Sequence, residues 1–592
     1  KLIKKRISMN QTPLKYVIII TAVVALTMYF IMMNAATFQF HSVRDDFMDW
    51  HFANNPTSAT WIGIHDYDGE LPDISTKGRE KERAHFLEVK GKLEAIDSET
   101  LNDNDRIDRQ ILLDMIESSF FNMDELQSFS WNPMQYMWGL GYAYESLLAY
   151  DFAPVEERAD NLSRRFLATS EYLAQAQENL VEFSKPHLET AVKQAKGLAG
   201  MFDATVPEMA EQLQDDYRKN FEHNAGLAKQ ALEEFITFLE SNLNNDSFRD
   251  FRIGRQLYNK KLFYTLKEGI TAPEVMERAE RHIRVVQNEM FVLAEPLYSE
   301  WFGEEPATDT HEDKLKMTRK VLDRIAEDHA PRDKVVEAAR ETIAELEQFI
   351  RDNDLLTLDD SKPLEIRETP EYQRGVSGAS LQSPGPLESN LPTFYNVSPI
   401  PEDWTDEQAE SFLKEYNTIS MKILSIHEAL PGHYVQLYYA NHHPSLVRAS
   451  FGSGVMIEGW AHYTEDMMVR EGFGSGDPRY SLVEKKWKLR GISNAIIDQK
   501  IHAERMTEQE ALDLMINETF QEESEANGKW RRAQLTSAQL STYFTGYILF
   551  LELLEDYKDQ EGDGFNIKNF HEELLSYGSI PIRYIREMMI DD

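Results

Sequence analysis

Residues 427–436 read HEALPGHYVQ and residues 458–465 read EGWAHYTE. Histidines with carboxylates beside and after them supply the donors of a hydrolytic zinc site. Two neutral imidazoles and one carboxylate leave a fourth position for water, and a further carboxylate can take that water's proton. On this reading His427, His433 and Glu458 hold Zn²⁺, and Glu428 is the general base. Glu465 or His462 then orients a ligand histidine. An exchange of roles between Glu458 and Glu465 stays open. Hydrogen-bonded core histidines, or a metal site without catalysis, are the plainer readings of the same residues.

The spacing sets a geometric problem. In the common H-E-x-x-H pattern the histidines are four apart and share a helix face, whereas here they are six apart. Six steps of about 100° put His433 roughly 120° around an unbroken helix from His427, too far to share an ion. Pro431 and Gly432 lie between them, so a kink or bulge is expected that swings His433 back. The first histidine belongs to an expected helix over Ser411–Leu430, whose buried stripe is Phe412, Tyr416, Ile419, Ile423 and Ile426. A second helix beyond the glycines of FGSGVM carries Glu458, His462 and Glu465 within about 60° of one another.

The rest of the chain must position these elements. Of 592 residues, 42% are hydrophobic and 28% charged, which excludes a disordered polymer and allows a large composite enzyme. Runs such as 157–183 place apolar residues three and four apart, and breaks fall at Lys185, Thr271 and Asp328 beside prolines. The expected fold is mainly α, a multi-helix arrangement with short strands near the cleft. Loop-like sequence from Ser361 to Trp404 marks a seam between a helical region (37–360) and a region bearing the site (361–592). Within it, TFYNVSPI (393–400) is the strongest strand candidate. An edge strand there would pair with an extended peptide and bring Tyr395 and Asn396 to the substrate.

Net charge is −39, which argues against nucleic acid as a partner, and the absence of cysteine excludes disulfides, thiolate ligands and a lipidated cysteine. Tyr16–Met33 is 18 residues without a charge behind a basic flank, so residues 1–36 read as a cytoplasmic tail with a transmembrane anchor or an export signal. The remainder is expected in the bacterial cell envelope, on the periplasmic or outer side of the inner membrane, or secreted if the signal is cut.

At His427, Glu428, Pro431, Gly432, His433 and Gln436, followed by Glu458, Gly459, Trp460 and Ala461, the sequence resembles the bacterial DUF885 family, read as zinc peptidases. Segment 59–75, ATWIGIHDYDGELPDIS, is similar to that family's N-terminal signature, and 496–512 to its later D-x-x-x-H helix. The resemblance implies one composite domain over 40–592 with a large, peptidase-like helical fold and a small sheet near the cleft. It implies substrate roles for Gln436 and Asp498, a transition-state role for His502, and an oxyanion-stabilising phenol at Tyr543 beside Gln539 and Gly546. Asn494 and Lys500 depart from the family's usual Arg and Gly, which puts the substrate contacts of that helix in doubt.

The function expected is peptide-bond hydrolysis by a zinc metallopeptidase. Hydrolysis of another amide, in a cell-wall peptide or an acylated amino acid, needs the same centre. A membrane-tethered helical interaction protein is the reading from a different class.

Overall fold

Apolar side chains three and four apart line one face of a helix, and most of the chain follows that pattern. The computed structural model describes residues 35–362, 364–369 and 378–590. Long helices fill the first half, among them Val155–Asn179, Asp215–Asn242 and Ala272–Phe302. Their ends fall at the expected punctuation. Pro186 sits in the first turn of Lys185–Met201, where its missing N–H costs nothing. Thr271 and Glu274 cap each other's backbone at the start of Ala272–Phe302. One apolar cluster gathers side chains between Met134 and Leu239, while the largest runs from Phe40 to Met589 and draws on both sides of residue 360.

Three short strands lie between the helical parts: β1 (Leu364–Glu368), β2 (Ala379–Gln382) and β3 (Thr393–Val397). Their order is β1-β3-β2, with β1 parallel and β2 antiparallel to β3. A strand therefore exists where TFYNVSPI suggests one, but it is the central strand. This corrects the edge-strand expectation, because both flanks of β3 are already paired. Tyr395 and Asn396 are buried rather than cleft-lining. The Tyr395 hydroxyl lies 3.1 Å from Ser425 Oγ, and Asn396 Oδ1 accepts from Arg367 Nε at 2.7 Å.

The N-terminal signature packs against the loop that follows β2. Thr60 Oγ1 donates to Asp68 Oδ1 at 2.7 Å, and His65 bridges Asp68 and Glu388 at 2.9 and 3.0 Å. A Cβ on Gly385 would stand 2.2 Å from the Trp61 carbonyl oxygen, so only glycine allows this approach. Residues more than 300 positions apart thus fix one end of the sheet.

Among the described residues no helix is long and apolar enough to cross a membrane. The Tyr16–Met33 run expected as an anchor lies outside the described residues.

Candidate metal centre

The expected helix over Ser411–Leu430 is two helices, Asp406–Glu415 and Thr418–Glu428, because the Asn417 side chain accepts the Ser420 N–H and starts a new one. A further correction concerns the proline-glycine irregularity. It is a full break, with Thr418–Glu428 ending before it and His433–Asn441 beginning after it. Gly432 N–H donates to the Ile426 carbonyl at 2.9 Å, folding the chain back on the helix it has left. A Cβ at Gly432 would fall 1.9 Å from the His427 carbonyl oxygen. Trp460 Nε1 donates to the Pro431 carbonyl at 2.9 Å, so the tryptophan of EGWA pins the turn between the histidines.

Trp460 lies on Gly454–Arg470, capped by Ser453. That helix crosses Ser541–Glu561 at a glycine pair, where a Cβ on Gly459 would come 2.5 Å from Gly546 Cα. The crossing explains both glycines of the sequence motifs. It also sets Tyr543, three residues before Gly546, beside the site.

The break brings the predicted ligands together. The rings of His427 and His433 are 4.7 Å apart at 83°. His427 Nε2 is 3.6 Å and His433 Nε2 is 3.7 Å from the same Glu458 Oε2. On its other side, His427 Nδ1 lies 2.6 Å from Glu465 Oε1, which also lies 3.3 Å from His462 Nδ1. His427 thus shares two groupings of possible ligands, one with His433 and Glu458 and one with His462 and Glu465. Glu458 faces Nε2 of both histidines, whereas Glu465 lies at Nδ1 of His427, where a ring N–H donates to it. His433 Nδ1 is buried without a hydrogen-bond partner among the described residues.

The electrostatics follow from this crowding. Burial, with Glu458 and Glu465 nearby, raises Glu428 to about 7 against the opposing pull of His427. Burial disfavours charge on His427 too, but its bonds to Glu458 and Glu465 outweigh that and raise it to about 10. For His433 burial prevails, with the His427 charge adding to it, and the value drops to about 4. Glu428 also accepts the backbone N–H of Leu381, so the outer side of β2 lies against it.

Tyr543 is at the site: its ring meets His462 edge-on at 5.5 Å, and burial together with the Glu458 charge raises its phenol to about 12. Its oxygen accepts from Arg532 at 2.9 Å, and the same guanidinium nitrogen donates to Gln539 Oε1 at 2.9 Å. Arg532 went unnoticed in the sequence. The signal was available in its spacing, since seven and eleven residues separate it from Gln539 and Tyr543 across a helix end.

Three expected site residues do other work. His502 Nε2 is shared by the carbonyls of Ala533 and Thr536 at 2.9 and 2.7 Å. Asp498, fully buried, accepts from Ala538 N at 3.0 Å, Ser541 N at 3.2 Å and Ser541 Oγ at 2.9 Å. Together they anchor the start of Tyr543's helix. Buried Gln436 donates to Ser579 Oγ and ties the second ligand helix to the loop before the last helix. Gln436 Oε1 and His502 Nδ1, both buried, have no hydrogen-bond partner among the described residues.

The chain belongs to the family described as bacterial protein of unknown function, DUF885, whose sequence model matches residues 56–589. It is similar to a structure from Shewanella oneidensis described as a "putative lipoprotein of unknown function", at 36% identity and a TM-score of 0.80, over 93% of this chain and 100% of that one. It shares its fold with a "putative lipoprotein" from Colwellia psychrerythraea, at 18% identity and a TM-score of 0.76, over 93% and 98% of the two chains. No match is found among curated proteins.

Proposed function

We propose that the protein is a zinc-dependent metallopeptidase of the bacterial cell envelope that hydrolyses peptide bonds with Glu428 as general base. The observation that carries this reading is the convergence of His427 Nε2 and His433 Nε2 on one oxygen of Glu458. Two atoms bonded at 2.0–2.1 Å to a tetrahedral centre stand about 3.3 Å apart. The separations of 3.6 and 3.7 Å come within a few tenths of an ångström of that. The residues fit the ion in type as well, with Glu465 holding His427 as carboxylates hold ligand histidines in zinc sites.

His427, His433 and Glu458 would hold Zn²⁺, which when bound lowers the pKa of a water toward about 7 and polarises a carbonyl. Glu428, one residue beyond a proposed ligand and buried beside Glu458, takes the proton of the attacking water and delivers it to the leaving nitrogen. Tyr543, its oxygen held by Arg532, keeps a phenolic hydrogen to donate to the oxyanion. An extended peptide laid along the outer side of β2, rather than on β3, would pass Glu428.

The envelope location draws support from the apolar run Tyr16–Met33 behind a basic flank. The wording attached to the two similar structures points the same way.

Glu428→Gln tests the mechanism. It should retain zinc by elemental analysis while turnover of a peptide library falls by roughly 10²–10⁴-fold. Normal turnover in this variant removes the general-base role. Wild-type protein that binds no zinc and stays inert with added metal removes the peptidase reading itself.

A further inference from the structure

The helix Glu523–Leu535 brings two further cations to the metal centre, Lys529 and Arg532, three positions apart on one face. Arg532 donates to the Tyr543 oxygen, and the Tyr543 ring meets that of His462. Both cations are close enough to interact with the proposed ligand Glu458: the charge of Arg532 acts on its carboxylate, which in turn acts on Lys529. Glu458, Tyr543 and Arg532 are each part-exposed, whereas His462 and Glu465 behind them are buried. Solvent therefore reaches the centre from the side that these cations border.

The acids around the pair are taken by other bases. The charges of Arg490, Lys529, Lys486 and Arg532 all bear on Glu525. Arg490 bonds it, and the neighbouring Glu415 takes Lys486 at 2.9 Å and Arg490 at 3.5 Å. Lys529 Nζ stands 4.0 Å from Glu525, outside hydrogen-bond reach, and donates to no described residue although the side chain is 4% exposed. Arg532 directs Nη2 at Tyr543 and Gln539, while its Nε and Nη1 donate to no described residue. The other carboxylate that favours charge on Lys529 is Glu458, already assigned to the metal. A buried ammonium without hydrogen bonds is costly, and a carboxylate arriving from outside would offset that cost.

We infer that Lys529 and Arg532 receive the C-terminal carboxylate of the peptide, so that the enzyme is a carboxypeptidase releasing one or two residues at a time. The inference rests on the peptidase reading and on Tyr543 as the oxyanion donor. Reach sets the number of residues. Arg532 Nη2 is 2.9 Å from the Tyr543 oxygen. With one hydrogen bond from the phenol to the oxyanion and one from the guanidinium to the carboxylate, the two substrate groups lie at most about 9 Å apart. At roughly 3.5 Å per residue of extended chain, that span holds no more than about two residues.

The test uses the zinc-loaded full chain and three peptides with a common N-terminal sequence: a free acid ending in Ala, its amide, and an amide ending in Glu. Mass spectrometry of wild-type digests should show loss of one or two residues from the free acid, with kcat/KM about tenfold or more above that of either amide, as expected for a charge-assisted bond. Lys529→Met keeps the bulk of the side chain without its charge and should bring the ratio of acid to amide to within about twofold. Because the ratio is internal to each variant, a general loss of folded protein does not mimic the effect. Equal cleavage of the acid and its amide by wild type, cuts only farther from the end, or a preference that survives in Lys529→Met overturns the inference and leaves the peptidase reading standing. A Glu amide cleaved as well as the free acid moves the carboxylate to a side chain and overturns the carboxypeptidase assignment. Cleavage of none by wild type removes both the inference and the peptidase reading.

Discussion

Two helical segments of this chain carry histidines and carboxylates at short spacing, and they differ in what their polar atoms have left to give. In the D-x-x-x-H segment, Asp498 accepts three hydrogen bonds and His502 Nε2 is shared by two carbonyls. In the HEALPGH segment, His427 commits only Nδ1, to Glu465, and turns Nε2 toward Glu458 and His433. One region spends most of its polar atoms in holding a helix start, with His502 Nδ1 left over, while the other directs two imidazole nitrogens at one carboxylate oxygen. Residue type and spacing do not distinguish these cases; the satisfaction of each atom does.

The largest expected effect comes from the region with capacity to spare. His433→Ala should lower zinc content from about one ion per chain to near none and abolish peptide hydrolysis, because the residual donors no longer enclose an ion. Elemental analysis beside the same peptide digest measures both. Full zinc occupancy in this variant would mean that the two regions do not differ in the way claimed.

Gly432→Ala comes next. The added carbon would lie 1.9 Å from the His427 carbonyl, so the turn must open and carry His433 with it. A stability loss of about 3 kcal/mol or more, together with weakened zinc binding, is expected by denaturant titration and metal competition. A well-folded variant with native zinc affinity would show that the turn adapts, contrary to the role given to glycine here.

Much of this was legible in the sequence, and the reasons are local. Helical periodicity and the proline, glycine and threonine punctuation at 185 and 271 report the backbone directly. The gathering of His427, His433 and Glu458 was legible because Pro431-Gly432 announces a break. The strand at 393–397 was legible as a strand, but its central place depends on two partners remote in sequence. The same limit explains Asp498 and Arg532. The backbone amides that occupy Asp498 come from forty positions downstream, and Arg532 acquires its role when a helix end folds it onto Tyr543.

Asp498→Asn probes the opposite region. It should lower stability by about 1–3 kcal/mol, since one acceptor becomes a donor facing buried N–H and O–H groups, yet zinc content should hold. Burial raises Asp498 from an ordinary 3.8 to about 6. The folded state therefore binds this proton more tightly than the unfolded chain, so the group's contribution falls as pH rises from about 4 to about 6 and is gone above. The variant lacks that titration, and its stability should vary less across the same window. Loss of zinc in Asp498→Asn would tie the two regions together.

The smallest expected effect separates a core tyrosine from a substrate contact. Tyr395 is fully buried on β3 and its hydroxyl meets Ser425 on the first ligand helix at 3.1 Å. Tyr395→Phe keeps the ring and loses one hydrogen bond, which should cost about 1 kcal/mol in a denaturant titration. Ser425 precedes His427 by two residues, so a slight loosening of zinc is compatible with this placement. A KM change beyond about twofold is not, because the ring lies behind the ligand helix. A tenfold rise in KM at unchanged stability would return Tyr395 to the cleft and show that the sheet rearranges when a peptide binds.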